Sequence, residues 1–271
     1  MPELPEVQTV LDTLETKIKN RKITDIKILY KPIVSCDEKV FKKSLINQRF
    51  KSFKRRGKYL LFEMDDITLV SHLRMEGKYF ILDQKTPINK HDHVIFYLDN
   101  NQQLRYNDVR KFGRMELIDK QDDYLEFKDL GPEPFSKLFN LNYCKNYLKD
   151  KKKPIKQVLL DQSFVAGIGN IYADEILFSI KVNPKTNANK LKDEDIKNLI
   201  KQTRLILKKA IKAGGTTIRS YTSSLGVTGR FQLNLKVHTM KTCPVCKSEI
   251  KKITVGGRGT YYCPKCQKEK R

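Results

Sequence analysis

Apolar residues recur at helical spacing at Val7, Val10, Leu11, Leu14 and Ile18, which predicts an amphipathic helix over residues 5–19 with one face turned to a core. Pro5 suits the first turn of that helix, and Glu6 suits the positive end of its dipole. From residue 23 to about residue 118 the pattern changes to short β-rich runs. Ile23–Ile28, Tyr59–Met64, Ile67–Leu73, Tyr79–Leu82, Val94–Leu98 and Met115–Ile118 read as strands, separated by turn formers such as Asp65-Asp66 and Asp99-Asn100-Asn101. Short strands at this spacing predict a sandwich or barrel.

Gly131-Pro132-Glu133-Pro134 ends the β-rich stretch, and a basic segment from Lys145 to Lys156 follows, with six lysines and one aspartate. Ile196, Leu199, Ile200, Thr203, Leu207, Ala210 and Ile211 then mark one face of a long helix stopped by Gly214-Gly215. Residues 216–230 show no periodicity, contain Gly226 and Gly229, and read as a mobile loop. The expected fold class is α+β in two domains. Residues 1–132 form an N-terminal helix plus β-sandwich, 133–152 a hinge or linker, 153–238 a helical domain, and 239–271 a terminal ribbon. No internal repeat is visible.

Charge and cysteines sharpen this outline. The 271 residues hold 54 Lys+Arg against 31 Asp+Glu, a formal charge of +23, which recruits polyanions. No run approaches the roughly 20 apolar residues of a membrane span. The start of the chain lacks the basic and apolar regions of a secretion signal, so a cytoplasmic location without membrane association is expected. Cys243-Pro-Val-Cys246 and Cys263-Pro-Lys-Cys266, sixteen residues apart, suit one tetrahedral Zn²⁺ held by four thiolates. The alternative of two disulfides is disfavoured in a reducing compartment. Ile253-Thr254-Val255 and Thr260-Tyr261-Tyr262 flank Gly256-Gly257-Arg258-Gly259, giving a β-hairpin zinc ribbon with an arginine at its tip. Cys36 and Cys144 read as ordinary half-buried thiols.

Five blocks in order resemble the formamidopyrimidine-DNA glycosylase family. They are Met1-Pro2-Glu3-Leu4-Pro5-Glu6-Val7, Arg56-Gly57-Lys58-Tyr59-Leu60, Asn107-Asp108-Val109-Arg110-Lys111-Phe112-Gly113, Gly167-Ile168-Gly169-Asn170-Ile171-Tyr172-Ala173-Asp174-Glu175, and the terminal ribbon. The resemblance covers essentially the whole chain. It implies a helix–two-turn–helix element in the second domain and a monomer acting on double-stranded DNA that contains oxidised bases. It further implies excision of oxidised purines such as 8-oxoguanine and formamidopyrimidines, then strand cleavage by β- and δ-elimination.

Each residue has its own chemistry beside that resemblance. Removal of Met1 exposes Pro2 as a terminal secondary amine, and an α-amino group titrating near ~8 is partly unprotonated at neutral pH. Such an amine can attack a deoxyribose carbon to form an iminium that acts as an electron sink. Glu3, next to it, suits proton transfer during that step. The resemblance implies that Lys58 acts in β-elimination and on phosphate, and that Arg258 grips phosphate and takes part in δ-elimination. Met75, Arg110 and Phe112 match the family's wedge, which the resemblance implies fills the gap left by an extruded base. The resemblance implies that Asn170, at the start of a helix behind Gly167-Ile168-Gly169, contacts phosphate and that His91 contacts DNA, and Lys151 and Lys156 are candidate phosphate contacts. The resemblance implies that residues 216–230 form the family's lid over the extruded base, with Ser220 and Tyr221 able to read it, whereas His72 is expected to be structural.

Two alternatives remain open on the residues. One is the related endonuclease VIII type, which prefers oxidised pyrimidines. Leu4 and the full Met75, Arg110 and Phe112 set stand against it. The other is a non-catalytic zinc-ribbon DNA-binding protein, which composition and cysteine spacing alone would permit.

Overall fold

The computed structural model describes residues 1–119, 127–216 and 230–270. These fall into two compact units. Residues 1–119 with 214–216 form the first, and 127–213 with 230–270 form the second. Ser220 and Tyr221, and most of the expected lid, lie outside the described residues.

The first unit opens with α1 (Leu4–Ile18), whose buried Leu4, Val7, Val10, Leu11, Leu14 and Ile18 form the anticipated stripe. The strands that follow are β1 (Ile23–Ile28), β2 (Ser52–Arg56), β3 (Tyr59–Glu63), β4 (Ile67–His72), β5 (Lys78–Asp83), β6 (Asp92–Leu98), β7 (Gln102–Asn107) and β8 (Arg114–Asp119). They make two four-stranded antiparallel sheets, in the orders β1-β6-β7-β5 and β2-β3-β4-β8. The inner faces share one core. Phe62 of β3 meets Tyr79 of β5 edge-on at 5.7 Å, and the buried Tyr79 hydroxyl donates to Ser71 Oγ of β4 at 2.7 Å. The result is the expected helix plus sandwich. An additional helix, α2 (Glu38–Leu45), buries only Phe41 and Leu45, and Asp37 caps it by accepting from the amides of Lys39 and Val40.

The second unit carries α3 (Leu141–Leu148), α4 (Ile155–Leu160), α5 (Asn170–Ser179) and α6 (Asp193–Lys212), then a hairpin of β9 (Lys251–Val255) and β10 (Arg258–Tyr262). α3 lies inside the stretch read as a linker. Only Cys144 and Leu148 of that helix are buried, too little apolar periodicity to stand out among lysines. The hairpin turns through Gly256 and Gly257 at φ of 56° and 73°. Those angles suit a two-residue primed turn that glycine enters without a Cβ penalty. Among the described residues, no helix is long and apolar enough to cross a membrane.

Candidate active site

The beginning of the chain is packed rather than loose. Pro2, Glu3, Leu4, Pro5 and Glu6 are all buried. The terminal amine of Met1 is held below its usual value of 8.0, first by burial. The charge of Lys58 acts in the same direction, while Glu3, Glu6 and Glu76 oppose it. One ammonium site is therefore within electrostatic reach of three carboxylates and a lysine, and burial wins. An amine here is unprotonated more often at neutral pH than one in water, which is what a nucleophile needs.

Two devices hold this cluster. The Glu6 carboxylate accepts from the amide of Glu3 at 2.9 Å with Oε2, and from the amide and hydroxyl of Thr216 at 2.8 and 3.0 Å with Oε1. Gly215, at φ +75°, passes so close that a Cβ would stand 2.8 Å from Glu6 Oε1. Lys58 lies in the β2–β3 turn beside Gly57 and is 6 % exposed. Arg55 fixes that turn, donating to the Gly57 carbonyl and to Gln8 Oε1 of α1, each at 2.9 Å. Pro2, Glu3 and Lys58 are thus brought together. His72 is structural, as expected. Its Nδ1 accepts from the amide of Arg74 at 2.9 Å. Burial, aided by the charges of Arg74 and Lys58, drives its pKa down to about 3, so the ring is a neutral acceptor at physiological pH.

Met75, Arg110 and Phe112 occupy two neighbouring loops of the same unit. Asp108, wholly buried, gathers the amides of Arg110, Phe112 and Gly113 at 3.0, 2.9 and 2.9 Å. The side chains it turns outward are Arg110 and Phe112. Phe112 is 48 % exposed, with the Arg110 guanidinium 4.7 Å from its ring centre. Phe112 is therefore no core residue, and Met75 is only half-buried. His91 is also half-buried, and its carbonyl accepts from the Asp108 amide at 3.0 Å.

In the second unit, Lys151 and Arg258 line one cavity of about 360 Å³ with Tyr147, Lys153 and Gln157. Arg258 is exposed, and Asn170 at the start of α5 donates to the Gly259 carbonyl at 3.0 Å. Lys156 behaves differently from expectation. Its side chain is 0 % exposed and its Nζ lies 2.6 Å from Asp174 Oδ1. The other oxygen of Asp174 is 2.7 Å from His238 Nδ1 and accepts from the Tyr261 amide at 3.2 Å. Lys156 is a buried partner in an ion pair, in place of the surface phosphate contact expected of it.

The four cysteine sulfurs of the ribbon lie within 4.8 Å of one another, with Cys243–Cys266 at 3.8 Å and Cys246–Cys263 at 3.4 Å. Tetrahedral zinc with bonds of about 2.3 Å spaces its sulfurs by about 3.8 Å, whereas a disulfide needs about 2.05 Å. The donor set fits one structural Zn²⁺. Ser248 Oγ, 2.9 Å from Cys246 Sγ, lowers the pKa of that thiol, while burial and the neighbouring sulfurs raise that of Cys266.

Three family profiles match consecutive parts of the chain: the formamidopyrimidine-DNA glycosylase N-terminal domain over residues 1–115, the H2TH domain of the same enzyme over 130–222, and a zinc finger found in FPG and IleRS over 241–268. The formamidopyrimidine-DNA glycosylase of Ligilactobacillus salivarius is 48% identical over 98% of this chain and 99% of its own length. That of Listeria monocytogenes is 44% identical over 99% of this chain and 100% of its own. This chain belongs to the formamidopyrimidine-DNA glycosylase family. A solved structure of the Lactococcus lactis Fpg with DNA containing an abasic site superposes with a TM-score of 0.94 at 44% identity, covering 98% of this chain and all of that one. A complex of the same Fpg with N7-benzyl-Fapy-dG DNA gives 0.94 at 44% identity, over 99% of this chain and all of that one. Members of the formamidopyrimidine-DNA glycosylase family are DNA glycosylases with AP lyase activity, and this chain is such an enzyme.

Several supporting residues of this glycosylase escaped the sequence reading. Glu6 reads as a helix-dipole residue, yet its partner is 210 positions away. Glu175 accepts from the amides of Lys236, Val237 and His238, each at 2.9 Å. Burial raises its pKa even so. Asp108, Asp174 and Glu175 lie inside the blocks that resemble the family, with nothing in the sequence to mark their individual roles. An acidic residue inside a glycine-flanked or apolar run, in so basic a chain, was the one signal available.

Proposed function

We propose that this enzyme excises oxidised purines from duplex DNA through a covalent intermediate on Pro2, exposed by removal of Met1. The Pro2 nitrogen attacks C1′, and the base departs with the bonding electron pair and takes a proton. Glu3 handles the protons of sugar-ring opening and iminium formation. The iminium then accepts electrons as a C2′ proton leaves and the 3′ phosphate is expelled. A second elimination expels the 5′ phosphate, and water releases the enzyme. Lys58 serves β-elimination and phosphate binding, and Arg258 serves phosphate binding and δ-elimination. His91, Lys151 and Asn170 contact the DNA backbone. Met75, Arg110 and Phe112 fill the duplex, Arg110 facing the orphaned cytosine. Zinc, when bound by the four cysteines, folds the ribbon that carries Arg258. The enzyme acts as a monomer in the cytoplasm.

The observation carrying this reading is that Pro2 and Glu3 are buried, while the amine one position earlier, on Met1, lies within electrostatic reach of Glu3, Glu6 and Lys58. Borohydride added during reaction with 8-oxoguanine·cytosine duplex is expected to trap one adduct, mapped by mass spectrometry to the N-terminal peptide. Replacing Pro2 with Gly, or retaining Met1, should abolish trapping. An adduct on another peptide, or active enzyme that keeps Met1, removes Pro2 from the mechanism. Preferential excision of thymine glycol would instead favour the endonuclease VIII type.

A further inference from the structure

The pairing of β5 with β7 sets Lys78 against Asn107 and Tyr79 against Tyr106. The turn before β5, holding Met75, and the loop after β7, holding Arg110 and Phe112, therefore leave the sheet side by side. Tyr106 is 0 % exposed, and its hydroxyl lies against both segments. A Cβ on Gly113 would stand 1.7 Å from that oxygen, and one on Gly77 would stand 2.2 Å from it. Neither glycine has a left-handed φ, so close approach, rather than backbone conformation, excludes a side chain at both. The same hydroxyl donates to Asp108 Oδ2 at 3.4 Å, and that oxygen also receives the amides of Phe112 and Gly113. On the other side, the Gly77 amide closes its turn on the Leu73 carbonyl at 3.0 Å.

We propose that Tyr106 is a positioning residue that locks the Met75 turn and the Arg110–Phe112 loop into one preformed wedge, with Gly77 and Gly113 as the two sockets for its hydroxyl. This rests on the wedge reading above and deepens it. Opening a duplex costs a few kcal/mol in lost stacking. Two independently mobile loops would add their own ordering entropy at the moment of insertion. Loops ordered during folding do not add it. The tyrosine touches no DNA in this scheme; it sets where the residues that do so stand.

The test is stopped-flow fluorescence of 2-aminopurine placed beside the cytosine opposite 8-oxoguanine, compared with borohydride trapping on a single-stranded abasic oligonucleotide, where no duplex is opened. Tyr106→Phe is expected to slow the insertion phase about fivefold relative to single-strand trapping, the loss of about one buried hydrogen bond. Gly113→Ala should slow it at least tenfold, and adding Tyr106→Leu, which vacates the overlapping atoms, should recover part of the loss. Tyr106→Phe adds no atoms and so keeps the test decisive should Gly113→Ala fail to fold. Insertion at the unaltered rate in Tyr106→Phe, while Arg110→Ala and Phe112→Ala slow it, overturns the lock and leaves the wedge standing. Equal losses in both assays for Tyr106→Phe also overturn it, since the residue then supports the fold generally. If Arg110→Ala and Phe112→Ala leave the signal unchanged, the wedge reading itself fails.

Discussion

His72 shows how one side chain links burial to function. Its unprotonated Nδ1 holds the amide of Arg74, a residue at φ 53°, and so shapes the turn that presents Met75. The folded pKa of about 3 lies below the ordinary 6.5. The unfolded chain therefore binds more protons between those values. The stabilisation is complete above about pH 6.5 and is lost as pH falls toward 3. His72→Asn offers an acceptor that does not titrate. Urea unfolding at pH 7 and pH 4.5 should show a smaller acid loss for this variant than for the parent. Identical losses would assign the acid sensitivity to other groups.

At the scale of elements, α5 is the anchor of the ribbon. Adjacent carboxylates at Asp174 and Glu175 take, between them, Lys156, His238, the Tyr261 amide and three amides of residues 236–238. Asp174→Asn strands a buried lysine charge, and loss of one partner of a buried pair typically costs about 3–5 kcal/mol. By contrast, Lys251→Ala breaks the Lys251–Glu249 pair, whose side chains are 52% and 71% exposed, and should cost less than about 1 kcal/mol. Thermal unfolding of the two variants checks the ordering. Equal, small shifts would mean that the Asp174 network does not support the hairpin. The elements least legible in sequence were those whose polar residues are inside. β7 (Gln102–Asn107) looks like surface, yet Arg105 is 1 % exposed, with Asp92 at 3.0 Å and the Thr86 and Pro87 carbonyls as partners. β2 has one buried apolar residue, Phe53, among basic neighbours.

For the whole molecule, the excess of 54 basic over 31 acidic residues makes DNA affinity an ionic-strength measurement. Each phosphate neutralised contributes about −0.9 to the slope of log affinity against log salt. Removing Lys151 or Arg258, which share a cavity in the second unit, should reduce that slope by about one each in a fluorescence-anisotropy titration. Lys156→Met should leave the slope unchanged, because its charge is internally paired. A drop of one for Lys156→Met would return it to the phosphate contacts.

The residues by themselves determined what depends on short spacing. The stripe of α1, the short apolar runs around Ile67 and Val94, and the paired Cys-x-x-Cys set each follow from periods, run lengths and gaps of a few positions, because side-chain direction and strand length are set over that range. The roles of Lys156, Glu6 and Tyr106 were decided only by folding. Lysines at 151 and 156 look alike in a basic segment, but Asp174, eighteen residues on, takes one of them out of solvent. Whether a charge is displayed or paired inside is a property of what packs against it, and the packing partners come from distant parts of the chain.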